Sequence, residues 1–274
     1  MSILEFSVHV RHPGEENPTL RLACKLAQRL QAHLDGIHAA VLPTAAFAVP
    51  EAVTVQVMEA ERSRHIAEGK AEWWQKTLDA YHLQGNWRVG EGDISQVLCL
   101  AAANSHLLIM ERSIDTEDAL PGFGTTSQTV FAANHPVLVI PSDTALAETG
   151  RRVLVAWNGS LEATRALAGS IPILAKAEHV WILDGQTNSG PDGLAWLPPL
   201  DLAGWCSRHG IPAELRHFEP VKSTAVELLQ FSDNVHADLI VLGAWGHSRL
   251  AEMVLGGVTR SLLREAQLPM LMAH

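Results

Sequence analysis

The chain has 274 residues, enough for one large domain or two of ordinary size. With 47% hydrophobic and 18% charged residues it can bury a sizeable core, which excludes a disordered polymer. Its 30 acidic residues against 20 basic ones leave a formal charge of −10, which argues against general nucleic-acid binding, since that needs a basic footprint.

The start, Met1 to Phe6, lacks the basic opening and long apolar stretch of a signal peptide. No apolar run approaches the roughly 20 residues of a membrane span, so no membrane partner is expected. Glu5–Val10 reads as a first strand and is followed by Arg11, His12 and Pro13. His9 and His12 lie close together, and His38 falls on a neighbouring strand. No Cys/His group has zinc spacing, however, and neither HExxH nor CxxC occurs, so no metal centre is expected. Pro43 and Pro50 bracket an irregular loop. Beyond it, Glu51 to His82 reads as one long helical pattern carrying Val57, Ile66, Trp73, Trp74 and Leu78. Cys24, Cys99 and Cys206 are odd in number, widely spaced and set in apolar contexts. They read as buried free thiols of a reducing compartment, and the expected location is cytoplasmic.

Ile94, Val97, Leu98 and Ala101 form a second helical pattern, and Asn104–Met110 a buried strand. Glu111 and a glycine-free acidic stretch with Asp115, Glu117 and Asp118 follow, then Gly122 and Gly124. His135–Ile140 is the last strand of this half, and residues 142–150 form a polar stretch with no strand pattern. The chain then repeats itself. Arg152–Trp157 answers Glu5–Val10, His236–Leu242 answers Asn104–Met110, and Leu268–Met272 answers His135–Ile140. Between them lie a loop over Gln186–Gly193, a shorter helix around Leu200–Cys206, and a helical pattern with Val226, Leu228 and Leu229. Strands alternating with helical patterns imply βαβ units and parallel sheets. Two α/β domains are expected, 1–142 and 151–274, each a doubly wound, five-stranded parallel sheet with helices on both faces. The short apolar last strands, Val137–Ile140 and Pro269–Met272, should pair antiparallel, because pairing removes two sheet edges and makes an intramolecular pseudo-dimer. A homodimer is a further way for the same chain to associate.

The most specific motif follows the apolar run Leu239–Leu242. Gly243, Gly246 and Gly256 are spaced G-x2-G-x9-G, and Gly257, Val258 and Thr259 open a helix. Glycines at a strand end allow a ligand close to the backbone, and a helix start offers unpaired N–H groups to phosphate. This spacing, with the strand and turn Arg151–Ser160, resembles the universal stress protein family. The resemblance covers 151–274 well and 1–150 only through the repeat. It implies tandem Rossmann-like, adenine nucleotide alpha hydrolase-like domains, and ATP or another adenine nucleotide as ligand.

The residues expected to line that site are Ala156, Trp157, Asn158, Leu183, Leu242, Gly243, Gly246, Arg249, Gly256, Gly257, Val258 and Thr259. Two of them depart from the family pattern. Asn158 stands where the family often has Asp, so it brings no charge to Mg²⁺, and Gly257 replaces the usual Ser or Thr, leaving Thr259 as the nearest hydroxyl. Arg249, beside His247 and Ser248, has two readings, a phosphate donor or a solvated helical turn. Backbone near Leu183 and Asp184 would meet adenine. In the first half Arg11 and Glu111 replace Asn158 and Gly243, so nucleotide is not expected there. No G-x-S-x-G or Walker lysine occurs and no catalytic residue stands out. The leading expectation is a nucleotide-binding, non-enzymatic module of stress signalling. An interaction protein with a degenerate pocket comes next, and a slow ATPase third.

Overall fold

The computed structural model describes residues 3–40, 50–112, 124–185, 200–244 and 257–274, over which strands and helices alternate. The N-terminal half runs β1 (Glu5–His9), α1 (Pro18–Leu30), β2 (His33–Ala40), α2 (Pro50–Glu68), α3 (Ala71–Ala80), β3 (Trp87–Glu91), α4 (Ile94–Ala101), β4 (Leu107–Arg112), α5 (Thr125–Ala132) and β5 (Val137–Pro141). The C-terminal half runs β6 (Arg152–Trp157), α6 (Leu161–Gly169), α7 (Ile171–Leu174), β7 (His179–Asp184), α8 (Leu202–Arg208), β8 (Ala213–His217), α9 (Thr224–Asn234), β9 (Leu239–Gly243), α10 (Gly257–Glu265) and β10 (Met270–Ala273). Side chains fix several helix starts. Asn17 accepts the Leu20 N–H at 2.7 Å just before Pro18, Asp93 that of Gln96 at 2.9 Å, and Ser160 that of Ala163 at 3.1 Å. Each satisfies an N–H that the first helical turn leaves unpaired.

The strands form one 10-stranded sheet in the order β3-β2-β1-β4-β5-β10-β9-β6-β7-β8. Pairing is parallel inside each half. The halves meet at the antiparallel β5–β10 seam, where Leu138 faces Leu271 and Val139 faces Met270. The expected fold class and the expected edge pairing are both present. Side chains alternate across the sheet with period two. Val153, Val155 and Trp157 join a core layer with α1, α3, α6 and α8, whereas Leu154 joins the opposite layer with α4, α5, α9 and α10. Both layers draw residues from both halves, so burial is continuous across the seam.

The expected single helix over Glu51–His82 is instead two, α2 and α3, separated at Gly69 and Lys70. Glycine lowers helix propensity there, and the break lets Trp74 bury fully against the sheet while α2 leaves on another line. The interval between β5 and β6 is tied down. Thr149 Oγ1 donates to the Asp238 carbonyl at 2.8 Å, Gly150 N–H to the Asp238 carboxylate at 2.7 Å, and Arg29 of α1 to the Thr149 carbonyl at 2.8 Å. Cys24 and Cys206 are buried free thiols, with Cys24 pushed up to about 12 mainly by burial; Cys99, expected to be buried, is partly exposed. Among the described residues no helix is long and apolar enough to cross a membrane. The expected acidic stretch 113–120, Gly122 and the loop 186–193 lie outside the described residues.

Candidate functional site

Strand β6 ends at Trp157 and the chain turns through Asn158, Gly159 and Ser160 into α6. Gly159 takes a left-handed backbone, φ 76°, which favours glycine. Asn158 Oδ1 accepts the Ser160 N–H at 3.1 Å, so its oxygen shapes the turn and its amide nitrogen is what remains for a ligand. Next to β6, β9 ends at Gly243. A Cβ there would lie 2.4 Å from the Ala163 nitrogen and 2.9 Å from Ala163 Cα. The first turn of α6 thus crosses directly over Gly243, and close helix packing requires that glycine, whose φ is not the positive one expected. Gly257 is the opposite case, since a Cβ there would meet nothing within 4 Å among the described residues.

These ends surround a cavity of about 340 Å³, within the range of small-ligand sites. Of the residues expected from the sequence, it brings together Ala156, Trp157, Asn158, Leu183, Leu242, Gly243, Gly257, Val258 and Thr259. Gly246, Arg249 and Gly256 lie outside the described residues, as does Trp245. The described part of α10 begins at Gly257, and Gly257, Val258 and Thr259 line the cavity.

Gly185, Phe218, Pro220, Thr224 and Leu228 also line the cavity and were not anticipated. Their signal was weak because β8, which leads into Phe218, is a short edge strand whose residues 214–217 are all exposed, so its apolar–polar alternation marks no buried face. The Thr224 to Glu227 spacing at the start of α9 was a legible helix-start signal. The backbone expected to read adenine is largely committed elsewhere. The Asp184 carbonyl accepts the Phe218 N–H at 2.8 Å, and the Gly185 N–H donates to the Trp157 carbonyl at 2.8 Å. What Leu183, Phe218, Pro220, Leu228 and Leu242 offer is an apolar wall. No charged side chain lines the cavity among the described residues. The Trp157 indole N–H is buried and finds no acceptor among them.

In the N-terminal half the corresponding positions carry an ion pair. Arg11 Nη1 lies 3.8 Å from Glu111 Oε1, across the ends of β1 and β4. His9, buried just below, is lowered to about 4, chiefly by burial and then by His38, Arg11 and His12. Bulk and paired charge here occupy the place of an amide and a glycine in the other half.

Residues 208–274 match the model described as the Universal stress protein family. A curated relative, universal stress protein Slr1230 of Synechocystis, is 28% identical over 139 residues. That match covers 50% of this chain and 46% of the relative, so the chain spans about half of that protein's length. Across nearly the whole chain the fold is similar to a universal stress protein from Archaeoglobus fulgidus, with TM-score 0.68, 16% identity, and 97% and 95% of the two chains covered. It is also similar to a putative universal stress protein from Pseudomonas aeruginosa, with TM-score 0.58, 15% identity, and 99% and 93% covered.

Proposed function

We propose that the chain is a tandem universal stress protein whose C-terminal unit, 151–274, binds ATP or another adenine nucleotide and acts in a stress response by binding rather than by fast catalysis. Residues 1–142 form a degenerate partner unit, docked within the same chain through the β5–β10 seam. The observation that carries this reading is the convergence of Gly257, Val258 and Thr259 of α10 with the ends of β6, β7 and β9 around one cavity. Phosphate oxygens would take the α10 N–H groups and the Thr259 hydroxyl, with Asn158 donating from its amide. The base would lie against Leu183, Phe218, Pro220 and Leu228, held by burial more than by paired hydrogen bonds. Without a carboxylate at Asn158, binding should tolerate low Mg²⁺. The free thiols suit a reducing, cytoplasmic setting.

One observation favours a second reading, an interaction protein that has lost the nucleotide. Among the described residues no charged side chain offsets a triphosphate in the cavity. Calorimetry of the full chain with ATP, with and without Mg²⁺, separates the two. Gly257→Asp is the informative variant, because a Cβ there meets no described residue within 4 Å and a carboxylate at a helix start is favourable to the helix but repels phosphate. Wild type should bind, and the variant should bind at least about tenfold more weakly without a lower Tm. No heat of binding from wild type would leave the interaction protein standing. Phosphate release above the Gly257→Asp background would instead revive a slow ATPase.

A further inference from the structure

We infer that Arg112, in the N-terminal half, is a positioning residue for the ligand cradle of the C-terminal half. This deepens the nucleotide-binding reading and rests on it. Arg112 ends β4 and is only 4% exposed. Its Nη1 donates to the carbonyl of Ala266 at 2.6 Å. Ala266 follows the last residue of α10 and continues its hydrogen bonding, with its N–H on the Leu262 carbonyl at 2.9 Å. A guanidinium from one half therefore sits at the carboxyl end of the helix whose amino end lines the cavity of the other. A cation there opposes the negative end of the helix dipole, and a charge-assisted bond fixes the helix along its axis.

The rest of the Arg112 environment argues for a specific role. Its Nε has no hydrogen-bond partner among the described residues, and burial lowers its pKa against the opposing pull of Asp143. A buried, half-satisfied guanidinium is a costly way to hold a core together, and an apolar side chain of similar volume would serve packing as well. The corresponding position in the C-terminal half is Ala244, which cannot reach back, so the contact runs one way. A second contact meets the other end of the same chain stretch. The Phe131 ring of α5 stacks on His274 at 4.4 Å, and His274 Nδ1 lies 3.1 Å from the carbonyl of Ala244, just past β9. The N-terminal half thus reaches Ala266 directly through Arg112 and Ala244 only by way of His274. Hydrogen bonds to an anion weaken steeply with distance and angle, so an unpinned α10 would hold phosphate less well.

The test uses the full chain with Arg112→Met and Arg112→Lys. ATP affinity is read by calorimetry, and amide exchange is read over 257–265, α6 and β7. The methionine variant should bind ATP roughly tenfold more weakly, with faster exchange confined to α10. Lysine, which can still donate to Ala266, should recover part of both. Arg112→Gln, with a neutral donor, replaces the methionine variant if that one does not fold. Where wild type binds, unchanged affinity in the variant, or faster exchange spread evenly over α10, α6 and β7, overturns the inference and leaves the nucleotide reading intact. If wild type binds no ATP, the nucleotide reading falls and exchange alone decides. A rise confined to α10 upholds Arg112 as its anchor, and no rise overturns it.

Discussion

Asn158, Gly243 and Gly257 are all small polar or glycine positions, yet each answers to a different constraint. Asn158 spends its oxygen on the Ser160 N–H, Gly243 makes room for Ala163, and Gly257 has no described residue where a Cβ would sit. His9 carries a residue-scale prediction. Its pKa is lowered to about 4 in the folded chain, mainly by burial, whereas an unfolded imidazole protonates near 6.5. Between those values the unfolded chain takes up a proton that the folded chain does not. Stability contributed by neutral His9 is therefore complete above about pH 6.5 and is lost as pH falls toward 4, on the order of 3 kcal/mol over the window. Urea unfolding at about pH 7.5 and about pH 4.5 should show a smaller acid loss in His9→Gln than in wild type. Equal losses would place the acid sensitivity elsewhere.

At the scale of elements, the site depends on how α6 and α10 approach the sheet. The backbone of α6 packs against Gly243, and backbone cannot swing aside as a flexible side chain can. Gly243→Ala should therefore cost about 2–3 kcal/mol by overpacking, with α6 displaced from β9. Gly257→Ala, with no described residue within 4 Å of its Cβ, should be neutral or slightly stabilising. Thermal unfolding of the two variants checks the contrast, and similar Tm values would show that α6 moves freely. Element boundaries were less legible than element types. The α2–α3 break sits at a glycine inside a continuous helical pattern, and β3 and β8 are five-residue edge strands that bury little.

At the scale of the molecule, the repeat has become one sheet with two unequal halves. Both core layers cross the β5–β10 seam, Arg29 ties α1 to the connecting segment, and Arg112 reaches α10. Interfaces of that kind, apolar and continuous with the core, leave little reason for either half to unfold alone. Far-UV circular dichroism and tryptophan fluorescence should give coincident urea midpoints. Trp73, Trp74 and Trp87 report on one half and Trp157, Trp181 and Trp205 on the other. Two separated transitions would show that the halves are independent domains that merely touch.

The sequence by itself determined the α/β class and the antiparallel seam, and it pointed to nine of the residues that line the cavity. Each follows from local patterns: apolar runs that only a buried parallel strand explains, short apolar last strands, and glycines at a strand end before a helix. Only the tertiary structure decided why Gly243 is a glycine, which residues of β8 and α9 close the cavity, and that Arg112 belongs with Ala266. Those pairings join residues far apart in the chain through the twist and stacking of the whole sheet, and nothing in the neighbouring residues of either partner encodes that distance.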